Sequence, residues 1–378
     1  MSGESAAPAA SRTGDYRIRG LDGLRAIAVA LVFLQHRTAL VTTPIGHFGV
    51  SMFFVLSGFL IVNILYEERL AIEAGLKSTT SAIIQFFARR SFRIFPIYYI
   101  VLVLTIPLFL VTTTHGGKPF GKYDDVYNFL YLSNVWQGSI CKDYVGYFTH
   151  LWSLSIEEQF YIISAIAILV VPSRFAIRFC AAIFLFGFAL RIYLHMTNTL
   201  AITIDTSSFV NFSYIAFGGL CVLALKHRRP ENGRERWWAP ALLLALLVLP
   251  FVIYAFEKRA DLYLPDALAP LIAGPLIIVL LKNQDQWLVT VLEFWPLRVI
   301  GKVSYGIYLY HLFIGAQLIE LISNRMFHHT IHVPAQFLVS LIGTLIVATL
   351  SWNLIEKPIL RLRPSQHAGP HELPAAAA

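Results

Sequence analysis

Apolar residues in this chain come in runs of about 20, broken by clusters of Lys, Arg, Pro and Gly. A helix rises 1.5 Å per residue, so a run of about that length crosses the ~30 Å hydrocarbon core of a bilayer. The runs predict ten helices, near 24–42, 48–66, 92–112, 156–171, 177–195, 208–225, 237–256, 265–281, 297–320 and 333–354. A further aromatic stretch, Val126 to Gln137, is too short to span and reads as interfacial or re-entrant. The fold class this predicts is an all-α polytopic membrane protein, with about ten transmembrane helices around a central cavity. Residues 1–20 form a polar Ala/Ser/Pro-rich tail, 21–360 the membrane domain, and 361–378 a second tail. The N-terminal tail has no apolar core ahead of a cleavage site, so the first span is expected to stay in the protein.

Composition agrees. The 378 residues are 57% hydrophobic and only 14% charged, with a mean hydropathy of +0.64. A soluble protein that apolar could not cover its own surface, which excludes soluble, disordered and fibrous readings. The formal charge of +8 chiefly sets orientation: 22 of the 30 Lys and Arg fall on one side of the predicted spans, which places both termini in the cytoplasm. The basic residues lie in short inter-span loops rather than one interleaved patch, so no nucleic-acid partner is expected. Cys141, Cys180 and Cys221 imply neither a disulfide framework nor a metal site.

Charged groups inside a span are expensive and usually face a bundle interior. Arg25 and His36 lie eleven residues apart in the first span, which returns them to within roughly 20° of one face with a rise of about 16 Å. The alternative is an Arg reaching for lipid head groups and a His satisfied by a neighbouring helix. At the start of span four, His150-Leu-Trp-Ser-Leu-Ser-Ile-Glu157-Glu158 brings two carboxylates into an apolar helix from the outer side. They are expected at the depth of His36, where one of them would hold the imidazole in the tautomer a general base needs. The bland counterpart is negative charge at a helix N-terminus. Arg90 and Arg93, three apart, share a helix face at the cytoplasmic start of span three. They suit a polyanionic phosphate, or form an ordinary positive-inside flank.

Ser304, Tyr308 and His311 make a polar stripe along span nine, suited to binding a substrate, with His311 converging on His36; structural roles are the alternative. Glu356, at the end of span ten, is expected to pair with Arg25. Ser57-Gly58 in span two reads as a close-packing step, with a nucleophilic Ser57 as the minor reading. No nucleotide-binding loop, dinucleotide fingerprint or H-E-x-x-H pair occurs.

Taken in order, these segments resemble the acyltransferase 3 family of bacterial integral-membrane acyltransferases. The resemblance rests on Gly20-Leu-Asp-Gly-Leu-Arg25 with His36, Phe53 to Leu60, Arg90-x-x-Arg93-Ile-x-Pro96, Trp152 to Tyr161, Ser304 to His311 and Glu356-Lys357-Pro358, and covers about residues 20–360. It implies transfer of an acyl group, commonly acetyl, from cytoplasmic acyl-coenzyme A to a hydroxyl of an envelope or exported saccharide or glycolipid, in the inner membrane. No metal is implied. Carried over by motif, Arg25 and His36 are linked to activity, Arg90 and Arg93 to coenzyme A, and Glu157 or Glu158 is the acidic partner. Many members carry an Arg about seven residues before a glycine in span six, where this chain has Asn211 ahead of Gly218. Some relatives also carry an extracytoplasmic hydrolase-like domain; the chain ends soon after span ten, so relay through such a domain is not expected. The rival readings are an acyltransferase for a small secreted molecule and a proton-coupled transporter or flippase. Against the latter stand the absence of an internal repeat and the cytoplasmic Arg pair.

Overall fold

The structure is a computed structural model that describes residues 18–37, 45–112, 124–144, 148–227, 240–245, 248–249, 252, 265–320 and 333–363. Every regular element among them is helical. The principal helices are α1 (Leu21–Arg37), α2 (Ile45–Glu73), α3 (Thr79–Thr112), α4 (Leu151–Val170) and α5 (Ala176–Met196). They continue with α6 (Ser208–His227), α7 (Pro265–Lys282), α8 (Trp295–Lys302), α9 (Ser304–Glu320) and α10 (Val333–Ser351). Among the described residues, five helical stretches are long and apolar enough to cross a membrane: Ile45–Glu73, Leu151–Val170, Ser173–Met196, Ser208–Lys226 and Pro334–Leu360. The apolar helix Pro270–Lys282 is shorter. Most of the predicted span 237–256, most of the N-terminal tail and residues 364–378 lie outside the described residues.

Three helices start or end well beyond their predicted bounds, two of them for the same physical reason. Charged residues mark where lipid ends, and Glu, Lys and Arg are good helix formers that let the helix continue into water. Thus α2 runs on to Glu73 and α3 begins at Thr79, their projecting ends tied by Glu68 to Lys77 (2.5 Å) and Arg89 (3.0 Å). Helix α4 begins at Leu151 rather than 156, because nothing in Leu-Trp-Ser-Leu-Ser breaks a helix. Conversely, the predicted span 297–320 divides at Val303 into α8 and α9.

Helix α2 is central, packed against α1, α4, α6 and α7. Its crossing with α6 is backbone on backbone. A Cβ at Gly58 would come within 1.8 Å of the Ile215 carbonyl oxygen, and one at Gly218 within 2.0 Å of the Val55 carbonyl oxygen. The small Ser57-Gly58 step therefore serves close packing, as its composition suggests. On the outside the usual polarity is inverted: Leu338, Ile342, Ile346 and Leu350, at four-residue intervals on α10, are each more than half exposed. Such a stripe fits lipid contact.

The aromatic stretch after α3 folds back as a short helix, Asp124–Phe129, and a π-helical turn, Trp136–Cys141. Gln159 of α4 donates to the Tyr131 carbonyl (2.9 Å) and Asn134 Oδ1 (3.0 Å), and accepts from Ser208 of α6 (2.6 Å). A half-buried amide with both ends satisfied pins the segment to two spans.

Replacing Gly58 or Gly218 by leucine should force α2 and α6 apart. The expected cost is at least the ~1–3 kcal/mol of core overpacking, read as a lower melting temperature or loss of detergent-soluble protein. A leucine variant with unchanged thermal stability would refute the close crossing.

Candidate functional site

The interior holds a cavity of about 900 Å³, counting its open part, walled by α1, α2, α3, α4 and α9. Seven of the nine residues singled out from the sequence line it: Arg25, Arg90, Arg93, Glu157, Glu158, Ser304 and Tyr308. The other two, His36 and His311, lie in a separate layer beyond Tyr308.

The cavity's basic wall comes from α1 and α3. Arg25 pairs with Asp22, one turn earlier, at 3.3 Å. The expected Arg25–Glu356 pair does not form: Glu356, buried in the π-helical turn Trp352–Glu356, accepts from Ser351 (3.3 Å). The aspartate is closer in sequence and on the same face, so it reaches the guanidinium first. Arg90 and Arg93 contrast with their neighbour Arg89, which is neutralised by Glu68. Among the described residues neither Arg90 nor Arg93 makes a hydrogen bond or ion pair. The Arg90 guanidinium instead lies 5.4 Å above the Tyr161 ring and 5.9 Å above Phe86. A cation held by ring faces keeps its N–H groups for another acceptor.

Opposite stand the carboxylates of α4. Glu157 Oε1 accepts from Ser57 Oγ and from Tyr161 Oη, and the two hydroxyls are 2.9 Å apart. Glu158 Oε1 is buried and has no hydrogen-bond partner among the described residues. The Ser57-Gly58 step thus serves both, Gly58 the crossing with α6 and Ser57 the site. The clue to Tyr161 was its i+4 spacing from Glu157.

Tyr308 and Ser153 close the cavity away from the arginines. Their hydroxyls are 2.5 Å apart, and both reach the His150 carbonyl oxygen, at 3.0 and 3.1 Å. Past them lies a layer of histidines. The His311 ring is 5.1 Å from that of His36 and 5.1 Å from that of His150, with edge-to-face tilts of 62° and 69°. The sequence does bring His36 and His311 together, as the stripe on α9 suggests.

It does not bring either glutamate to His36. With α4 starting at Leu151, the carboxylates lie two turns inside the helix, about 10 Å below His150, and His150 takes the depth expected for them. What orients each imidazole is its own helix. His36 Nδ1 is 2.9 Å from the Val32 carbonyl oxygen, and His311 Nδ1 is 2.6 Å from that of Tyr308. A carbonyl oxygen only accepts, so Nδ1 carries the hydrogen in both rings and Nε2 of each neutral ring keeps its lone pair. Arg37, which sequence reasoning counts only as a charge, clasps α9 here. It donates to the His311 carbonyl (3.2 Å from Nε, 2.6 Å from Nη2) and to that of Leu312 (2.5 Å). The guanidinium lies over Gly315, where a Cβ would stand 2.7 Å from it.

Among the described residues no three His, Cys, Asp or Glu side chains are placed to hold a metal ion. The arrangement offers anion-binding guanidinium groups at one end, buried carboxylates and hydroxyls midway, and oriented imidazoles at the other.

A family model described as an acyltransferase domain, acyltransferase 3, matches residues 18–353. The peptidoglycan O-acetyltransferase OatA of Listeria monocytogenes is 29% identical over 364 residues, covering 90% of this chain and 56% of its own length. The O-acetyltransferase OatA of Staphylococcus aureus is 26% identical over 383 residues, covering 90% and 57%. The chain thus spans a little over half the length of these relatives. No solved structure matches it.

Substituting Arg37 by Ala should loosen α9 from α1. Hydrogen bonds from a charged group are worth about 1.5–3 kcal/mol, so a clear drop in melting temperature is expected, with Arg37→Lys between wild type and Ala. Equal stability of all three proteins would show that the clasp contributes nothing.

Proposed function

The chain belongs to the acyltransferase 3 family, and from that premise we propose that it is a multi-pass membrane O-acetyltransferase that moves an acetyl group from acetyl-CoA to a hydroxyl of a cell-envelope saccharide. The name of the Listeria relative supports peptidoglycan as the acceptor, and the proposed place is the inner membrane. The observation that carries the reading is Arg90 and Arg93, cavity-lining guanidinium groups that make no hydrogen bond or close ion pair among the described residues.

In this mechanism the donor's phosphates dock on Arg90 and Arg93 from the cytoplasmic side, with Arg25 adding positive potential. Guanidinium groups bind phosphate oxygens bidentately, and the low dielectric of the bundle strengthens the contact. The pantetheine arm extends into the cavity, where Glu158 Oε1 accepts from its amide N–H groups. Glu157, steadied by Ser57 and Tyr161, lies alongside. The thioester reaches the Tyr308–Ser153 pair. The acceptor hydroxyl comes from the other side, and His36 Nε2 takes its proton as the oxygen attacks the thioester carbon. Direct attack needs no acyl-enzyme.

Mass spectrometry of envelope glycans from cells with and without the intact gene should differ by one acetyl group per modified sugar. His36→Ala should abolish that difference with the protein still in the membrane; unchanged product would reject His36 as the base. Arg90→Ala combined with Arg93→Ala should raise the KM for acetyl-CoA roughly 10- to 100-fold, the weight of one or two charge-assisted hydrogen bonds. An unchanged KM would remove the phosphate role. A mass change confined to a secreted small molecule would reassign the acceptor, and transport without covalent change would reassign the class.

A further inference from the structure

The acyl-transfer reading leaves one proton without a route. The alcohol loses it on the side of His36, whereas the thiolate that must gain it leaves on the cavity side of the Tyr308–Ser153 pair. His36 does not line the cavity, so its ring stands apart from a sulfur held beside the hydroxyl pair, and the returning proton needs a path between them. A carrier has to stand beside His36, stand beside the hydroxyl pair, and present a bare acceptor atom between them.

The geometry points to His311 as that carrier, a proton-relay residue between His36 and the leaving thiolate. Its ring is 5.1 Å from the ring of His36 and 5.7 Å from that of Tyr308. It is almost completely buried, at 1% exposure, and its Nε2 has no hydrogen-bond partner among the described residues. Its Nδ1–H is committed to the Tyr308 carbonyl oxygen, so Nε2 is the free base. A buried acceptor left unpaired is costly, and this one belongs to a ring packed against both His36 and Tyr308. His150, also in the layer, has ring contacts with His311 and Tyr308 but is not the neighbour of His36.

The step balances. As the acceptor oxygen forms its bond to the thioester carbon, its proton passes to His36 Nε2 and on to His311 Nε2. When the C–S bond breaks, the proton returns through the Tyr308 and Ser153 hydroxyls to the sulfur. The products are the acetyl ester and the coenzyme A thiol, with both imidazoles neutral again. This role rests on the acyl-transfer reading, and it gives Tyr308 and Ser153 a chemical part besides closing the cavity.

The test uses the full chain in lipid nanodiscs, radiolabelled acetyl-CoA as donor and solubilised peptidoglycan fragments as acceptor. His311→Asn keeps an N–H near the Nδ1 position for the Tyr308 carbonyl but removes Nε2. Its kcat should fall at least about 100-fold, the usual weight of a proton-transfer group, while the KM for acetyl-CoA moves less than about twofold. Added imidazole should restore at least about tenfold of the loss in His311→Ala, which a purely structural role would not allow. Should His311→Asn not accumulate, His311→Gln carries the same comparison, since an amide fills the site without taking a proton. A His311→Asn or His311→Gln enzyme with kcat within about threefold of wild type overturns the relay, as does a loss that lies wholly in KM or resists imidazole. A wild-type enzyme that transfers no acetyl group overturns the acyl-transfer reading, and the relay with it.

Discussion

A polar side chain carried into hydrocarbon has one direction to turn, inward, because lipid offers it neither hydrogen bonds nor screening. That constraint organises this interior. Arg25, Arg90, Glu157, Glu158, Ser57 and Tyr308 come from five helices, yet all line one cavity. The lipid-facing side of α10 carries instead a row of exposed Leu and Ile. The same constraint explains the close crossing of α2 and α6: with no hydrophobic drive between helices in lipid, contact between backbones at Gly58 and Gly218 supplies the attraction that side chains of equal apolarity cannot.

Within this frame the polar groups separate by depth. Helices α1 and α9 pass through in one sense and α4 in the other, so residue order along each helix becomes order along a common axis. Arg25 precedes His36 on α1 and Ser304 precedes His311 on α9, while on α4 His150 precedes Ser153, Glu157 and Tyr161. Arginines therefore meet carboxylates, and histidines meet histidines. The paired hydroxyls of Tyr308 and Ser153 lie between the two layers. A bundle of this kind can hold a charged donor and an uncharged hydroxyl acceptor at opposite ends without mixing the environments each requires.

Peripheral contacts serve the same end. Arg37 holds the α9 carbonyls beside His36, and Gln159 ties the folded-back segment after α3 to α4 and α6. Both are satisfied polar side chains at the edges of the bundle, where they define how helices sit against one another rather than which helices form.

Much of this was legible along the chain. Runs of apolar residues marked the helices, and the eleven-residue spacing put Arg25 and His36 on one face. Stripe periodicity brought Ser304, Tyr308 and His311 together, and a small Ser-Gly step announced a close crossing. These are one-dimensional properties, dictated by the pitch of a helix and the thickness of lipid. Depth was not among them: a difference of five residues in the start of α4 moved Glu157 and Glu158 by about one and a half turns, away from His36 and toward Arg90. Partner choice between helices was not either: Ser57 met Glu157, and Arg37 met the His311 carbonyl, only when separate helices took their relative heights, whereas Asp22, Tyr161 and Val32 serve partners on their own helices. Sequence determines how far apart two residues stand on one helix; only packing decides what stands at the same height on the next.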